Sequence, residues 1–269
     1  AAVYTVAPYV RTPEQITRSL APLHEAAPAR PPVENKRVWA SLEKTPEAVL
    51  EEAFQEGLHR DPERQKRWVG LVDGNATQLK LLEKLSTKHE VGMTIVMDII
   101  HVSEYLWKAS VAFNEETSLE REKWVSARLH GVLRGQAAQV AAGMRRSATL
   151  RGLSAKQREP VDTAARYLLN HQHYMHHDRY LAAGLPIGTG VIEGACRHLV
   201  VDRMDGVARW SLKGAEAVLR LRALRSSGDF EPYWHYHGAK EYQRNHVAHY
   251  ANAQVVPVQG RSPPDLSLV

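Results

Sequence analysis

Three acidic residues stand where chemistry on an anionic substrate would need them. Glu193 falls in the first turn of a helix-like run, after a flexible turn built from Gly184, Pro186, Gly188 and Gly190. Arginines follow at 197, 203, 209, 220, 222 and 225. A carboxylate beside the positive end of a helix, followed by basic residues, suits a metal ion held near a nucleic-acid backbone. The plainer alternative is an ordinary helix in which Glu193 pairs with Arg197 one turn on. Asp73 closes the short apolar run 68–72, and Asp98 lies near the end of a second one, 93–100. Ligands of open α/β sheets gather at the carboxyl ends of strands, so both aspartates are well placed for a site.

Other side chains could assist or compete. His101 follows Asp98 by three positions and could orient it or hydrogen-bond to it once a helix has begun; a buried helix-start histidine is the alternative. Arg197, Arg203 and Arg209 could track a DNA backbone, with Trp210 stacking on an unpaired base. Arg220, Arg222 and Arg225 alternate with Leu219, Leu221 and Leu224, which describes a core-facing helix with a solvated basic flank. Histidines at 171, 173, 176 and 177 have spacings that could clasp zinc, but no cysteine lies near them and Asp178 is their one acidic neighbour. His177-Asp178 also matches the dipeptide of HD phosphohydrolases, whose all-helical fold the strands here contradict. Cys196-Arg197-His198 falls one residue short of a CxxH half-site and has no second half. The turn GLPIGTG lacks the Gly-Lys-Ser/Thr of a phosphate-binding loop.

The elements that must carry these residues follow from composition and periodicity. Val- and Tyr-rich 2–10 reads as a strand, and Thr12-Pro13-Glu14 starts a short helix. A Pro- and Ala-rich linker, 21–35, leads to a second strand at 36–42. Thr45-Pro46-Glu47 repeats the helix-start signal, and apolar positions recur at helical spacing to about Arg60. A strand at 68–72, a helix at 78–89 and a strand at 93–100 come next. Strand, helix, strand, helix, strand over 36–100 predicts a right-handed parallel crossover unit, with the nearly continuous apolarity of 93–100 placing it inside the sheet. From 102 to 183 the spacing is helical, with almost no strand signal. The Tyr-, Trp- and His-rich stretch after Asp229 predicts one more helix, and the proline-bearing end is expected to be disordered.

Composition sets the outer bounds. A chain of 269 residues, 43% hydrophobic and 24% charged, describes a globular protein with a core of normal size. A formal net charge of +5 permits a polyanionic partner. The single cysteine, Cys196, excludes an intrachain disulfide and suits a reducing cytoplasm, the expected location. No apolar run is long enough to span a bilayer, so no membrane association is expected. The chain opens AAVYTV without an initiator Met, as if a strand were joined partway.

The wording of several blocks carries a resemblance. IGTGVIEGACRHLV, the following DRM, and GAEAVLRLRALRSSGDF resemble the C-terminal part of insertion-sequence transposases of the ISKra4 type. VDGN, DIIHVSEYLWKA and KRVWASLEKTPE are similar to the same family, in the same order, and the resemblance runs from about Ala1 to Tyr250. It implies an α/β fold: a ribonuclease H-like mixed sheet in 1–102, a large all-helical insertion at 103–183, C-terminal helices at 184–250 carrying the Glu, and a disordered tail at 251–269.

The activity so implied is DDE-type: Mg²⁺- or Mn²⁺-dependent cleavage of insertion-sequence ends, then strand transfer into target DNA by a homo-oligomer. Two divalent ions about 4 Å apart commonly serve such chemistry. Within the implied fold, Asp73 matches the second Asp and Glu193 the Glu, both as metal ligands. The strands at 2–10 and 36–42 match the second and third, so the first Asp is expected upstream of Ala1, and the chain is expected to be an inactive fragment in its absence. Asp98 could instead complete an Asp73, Asp98, Glu193 set; Asp98-Ile-Ile-His101 also resembles a supporting DxxH element. A catalytically dead DNA-binding remnant, and a nuclease using Asp73, Asp98 and Glu193, are the other readings.

Overall fold

Thr12-Pro13-Glu14 and Thr45-Pro46-Glu47 both begin helices. The threonine oxygen accepts an otherwise orphaned N–H, and proline at the first helical position has none to satisfy. Thr12 Oγ1 accepts from Gln15 N at 3.3 Å and Thr45 Oγ1 from Ala48 N at 3.2 Å. In the computed structural model these helices are α1 (Pro13–Ser19) and α2 (Pro46–Arg60). The structure describes residues 1–19, 30–115, 117–206 and 208–248; the tail at 251–269 and most of the 21–35 linker lie outside the described residues.

Among the described residues four strands form two separate pairs. β1 (Ala2–Val6) and β2 (Val33–Val38) are antiparallel, whereas β3 (Trp68–Val72) and β4 (Met93–Met97) are parallel, in register from Trp68↔Met93 to Val72↔Met97. The crossover between β3 and β4 is α3 (Ala76–Lys88). The expected unit over 36–100 is therefore corrected: only β3, α3 and β4 form a parallel unit, and β2 joins β1. The composition of β2 explains this. VENKRV is exposed at all but its last residue, whereas a strand inside a parallel sheet must be apolar on both faces. Its end also shifts from the expected 42 to Val38, because Glu216 takes the Leu42 N–H at 2.9 Å and draws that segment out as a loop. β4 stops at Met97, since Asp98 accepts from Ile100 N at 3.0 Å and turns the chain into α4 (Ile99–Ser110).

Helices fill the rest: α5 (Leu119–Leu133), α6 (Ala137–Leu150), α7 (Ala155–His171), α8 (His177–Ala182), α9 (Gly190–Cys196), α10 (Asp202–Met204), α11 (Leu212–Ser227) and α12 (Phe230–Tyr242). A π-helical turn, Arg197–Val201, joins α9 to α10; such wide turns occur often at functional sites. Ile99, Val102, Leu106 and Ala109 of α4 recur every three or four residues and are all buried. They face α7, whose Val161, Ala164, Ala165 and Leu168 are buried in turn. Full burial of one such leucine contributes roughly 1.5–3 kcal/mol. These residues share one continuous core with Val72, Val96 and Met97, so the helices after β4 pack directly on β3 and β4. A second, small core joins Val38 to Ala195, Leu199 and Ala223. The chain is thus a mixed α/β protein, mostly helical, with two small sheets among the described residues. Among the described residues no helix is long and apolar enough to cross a membrane.

Candidate functional site

Asp73 is the first residue past β3 and is exposed. Its Oδ1 accepts from Asn75 N at 2.9 Å, and Asn75 in turn caps α3 by accepting from Thr77 N at 3.0 Å and Gln78 N at 3.2 Å. Gly74 between them adopts φ +98°, a backbone conformation that residues with a Cβ rarely tolerate. A Cβ there would also stand 3.0 Å from Tyr167 Cε2. The tight turn leaves Asp73 Oδ2 without a hydrogen bond among the described residues, facing solvent.

Asp98 sits beside Asp73, because Val72 and Met97 are paired and Asp98 N donates to Val72 O at 2.8 Å. Its environment is opposite in character. The residue is 2% exposed. Its Oδ1 accepts from Ile100 N at 3.0 Å and from Thr189 N at 3.3 Å, and its Oδ2 accepts from the Thr189 hydroxyl. Both oxygens are therefore committed to holding the start of α4 against the 185–189 turn. Ile99 N also donates to Ile187 O at 2.9 Å, which closes the same seam.

Glu193 is exposed, in the first turn of α9, and its Oε1 lies 3.3 Å from the Thr189 hydroxyl. Thr189 thus stands between Asp98 and Glu193, and it brings the third expected carboxylate to the strand ends. Arg197 does not pair with Glu193; it lies 3.9 Å from Asp202 instead. Among the described residues no three His, Cys, Asp or Glu side chains converge closely enough to hold a metal ion.

His101 does not orient Asp98. Its Nδ1 lies 3.5 Å from Glu104 Oε2, and its ring packs edge-on against Tyr105 and Tyr167 at 5.4 and 5.9 Å. The i, i+3 spacing is used, but forward along α4 to Glu104, while both Asp98 oxygens accept from Ile100 and Thr189 instead. Tyr105 and Tyr167 stack at 4.0 Å, and the Tyr167 hydroxyl donates to Asp73 O at 2.9 Å. Burial, then the neighbouring Tyr105 and the charges of Asp73, Asp98 and Glu104, push the Tyr167 phenol well above its ordinary range, so it remains a donor.

The histidine cluster dissolves in three dimensions. His177 is fully buried, with Nε2 donating to Met97 O at 2.9 Å and Nδ1 unpartnered. His171 Nδ1 bonds its own helix at Tyr167 O, 2.8 Å away. On the basic side, Arg197 and Arg209 are exposed, whereas Arg203 lies over the Trp210 ring at 5.1 Å and occupies one face of it. That leaves Trp210 at most one face for a base. Arg222 donates to His198 O and so ties α11 to the π-helical turn, while Arg220 pairs with Glu216 of its own helix at 3.1 Å and with Glu43 at 3.5 Å.

Two residues that order this end of the molecule, Thr189 and Tyr167, were not singled out in the sequence, and His177 was singled out only for zinc or HD-type chemistry. Each bonds a residue at least 80 positions away: Thr189 with Asp98, Tyr167 with Asp73 and His177 with Met97. No protein-family model, curated protein or solved structure matches this chain.

Proposed function

We propose that this chain is the ribonuclease H-like catalytic part of a DDE-type transposase of the ISKra4 kind, acting on DNA with a divalent ion held at Asp73 and Glu193. One observation carries the reading. Asp73 and Asp98, side by side at the carboxyl ends of paired parallel strands, and Glu193, reached from Asp98 through the Thr189 hydroxyl, arrive from three separate elements at one end of the sheet. Asp98 is the positioning residue of this set, and Asp73 and Glu193 are its exposed members.

The donor set fits Mg²⁺ or Mn²⁺. Both free groups are carboxylates, and Mg²⁺ is commonly held by one or two carboxylates together with water and substrate phosphates. When bound, such an ion polarises a phosphoryl oxygen or lowers the pKa of water. The residues themselves place the carboxylates: the Asp73–Asn75 turn aims Asp73 outward, and Thr189 limits the swing of Glu193.

Cleavage of labelled element-end DNA with Mg²⁺ or Mn²⁺ tests the proposal. Glu193→Gln and Asp73→Asn should each abolish cutting while DNA binding persists. Binding with steep salt dependence, and no cutting under any metal, would favour the second reading, a DNA-binding remnant. The lack of three converging metal ligands among the described residues supports that alternative. A nuclease centred on Asp98 as ligand is disfavoured by its saturated, buried carboxylate.

A further inference from the structure

At the far end of β3 from Asp73, the structure opens a polar cleft of about 460 Å³ between the β1–β2 pair, the end of α2 and the end of α11. Among the described residues its lining contains no aliphatic or aromatic residue other than His59; four of these residues are Lys or Arg and two are carboxylates. The three consecutive residues Asn35, Lys36 and Arg37 all line it. A regular strand sends successive side chains to opposite faces, so this arrangement needs a departure from the pleat. The departure is a bulge: Val3 pairs with Arg37 and Thr5 with Glu34, which sets Asn35 and Lys36 against Tyr4 alone, and Asn35 takes φ +49°.

The charges within the cleft are unequally spent. Glu56 bonds Arg37 at 2.9 Å and Arg60 at 2.6 Å, and Asp229 bonds Arg37 at 2.9 Å. Both carboxylates are thereby used to fix the two guanidinium groups, and Arg37 Nη2 stays free among the described residues. Lys36 and His59 have no carboxylate within ion-pair distance among the described residues, and Lys66 Nζ bonds only Arg60 O, at 2.9 Å. All three are exposed.

We propose that this cleft is a second nucleic-acid contact, taking the backbone phosphates of a DNA strand through Lys36, Lys66 and Arg37. With no aliphatic residue lining it among the described residues, the cleft suits a polar ligand better than a peptide side chain that needs an apolar anchor. Fixed guanidinium donors beside unpaired ammonium groups suit phosphate oxygens, which carry charge without apolar surface. The proposal rests on the nucleic-acid reading of the chain but not on catalysis. β3, five residues and roughly 16 Å long, separates Lys66 of the cleft from Asp73 along the chain.

The test is DNA binding by the full chain in EDTA, measured as fluorescence anisotropy of a 20-base-pair duplex across a salt series. Lys36→Gln/Lys66→Gln should weaken binding several-fold and lower the slope of log K against log salt by roughly 2, about 0.9 for each phosphate no longer neutralised. Lys123→Gln/Lys156→Gln, which removes the same charge from exposed positions elsewhere, should leave the slope unchanged. Lys36→Arg/Lys66→Arg should restore wild-type binding, and melting curves of both cleft variants should match the wild type. An unchanged slope in the cleft variant, or an equal fall in the control, would overturn the proposal. So would stabilisation by inorganic phosphate that the cleft variant loses while its DNA binding stays intact, since the cleft would then hold a free anion. Binding is read here in EDTA, without cleavage, so failure of cleavage and failure of this cleft read out separately.

Discussion

Asp98 and Thr189, 91 positions apart, are joined twice: the Thr189 N–H donates to Asp98 Oδ1 at 3.3 Å, and its hydroxyl donates to Oδ2. Asp98 also caps α4, so one buried carboxylate sets both the exit of β4 and the entry to α9. Its removal should be felt at Glu193, which shares the same hydroxyl.

Asp98→Ala should destabilise the fold by about 2–4 kcal/mol, from a missing helix cap and two donors left unpaired in the interior. Asp98→Asn keeps an acceptor for Ile100 N and should cost less than half as much. Urea unfolding gives both values. If Asp98 positions rather than ligates metal, Asp98→Asn retains most cleavage and Thr189→Val loses a comparable share; complete loss in Asp98→Asn with an intact fold would make Asp98 a ligand.

Gly74→Ala should cost roughly 1–3 kcal/mol. The φ of +98° strains any side chain there, and Tyr167 and His171 crowd the Cβ position. Because the same turn aims Asp73, cleavage should fall further than the population of folded protein does. Equal stability to wild type in a thermal melt would refute the strain.

His177 sits neutral in the core: burial pushes its imidazole below its ordinary 6.5, against the opposing pull of Met97 O. The unfolded chain therefore binds the proton more readily than the native one, and stability drops as pH falls through and below about 6.5. His177→Gln retains a donor for Met97 O and removes the titration. Its stability should vary less than that of the wild type between pH 7.5 and 5.5, and parallel pH profiles would contradict the assignment.

Glu216 is 4% exposed and accepts from Leu42 N at 2.9 Å, Ser41 Oγ at 3.0 Å and Arg220 Nε at 3.1 Å. The Leu42 N–H foremost, with Ser41 and Arg220, holds its carboxyl below the ordinary 4.5, so this stabilisation is present above pH 4.5 and is lost as pH falls below it. Glu216→Gln should cost about 1–3 kcal/mol at pH 7 and flatten the acid limb of a stability profile. A wild-type acid limb in this variant would show that the loop is held by something else.

Much of the local structure was legible in the residues. Pro after Thr marked the starts of α1 and α2, the apolar run 68–72 became β3 unchanged, and Asp73 fell just past it, where β3 ends. Those features depend on neighbours within a few positions, so periodicity and turn chemistry suffice to read them. The end of β2 moved because a distant group, Glu216, took the Leu42 N–H. Within 102–183 the breaks are local: Gly135, at φ +74°, separates α5 from α6, and Gln157, accepting from Ser154 N at 3.0 Å, starts α7 before Pro160.

The partner of β2 lay beyond the reach of such reading. A strand of mixed polar residues fits an exposed antiparallel edge as readily as any other, and only tertiary packing selected β1 over β3. The same holds for the carboxylates. Residue type and spacing offered Asp73, Asp98 and Glu193 as candidates, and the family resemblance singled out Asp73 and Glu193. Which of them faces solvent and which is consumed in holding the fold was decided by the folded chain, because a hydrogen bond requires two atoms within about 3 Å, and Asp98 finds its second donor only once α4 and the 185–189 turn have met.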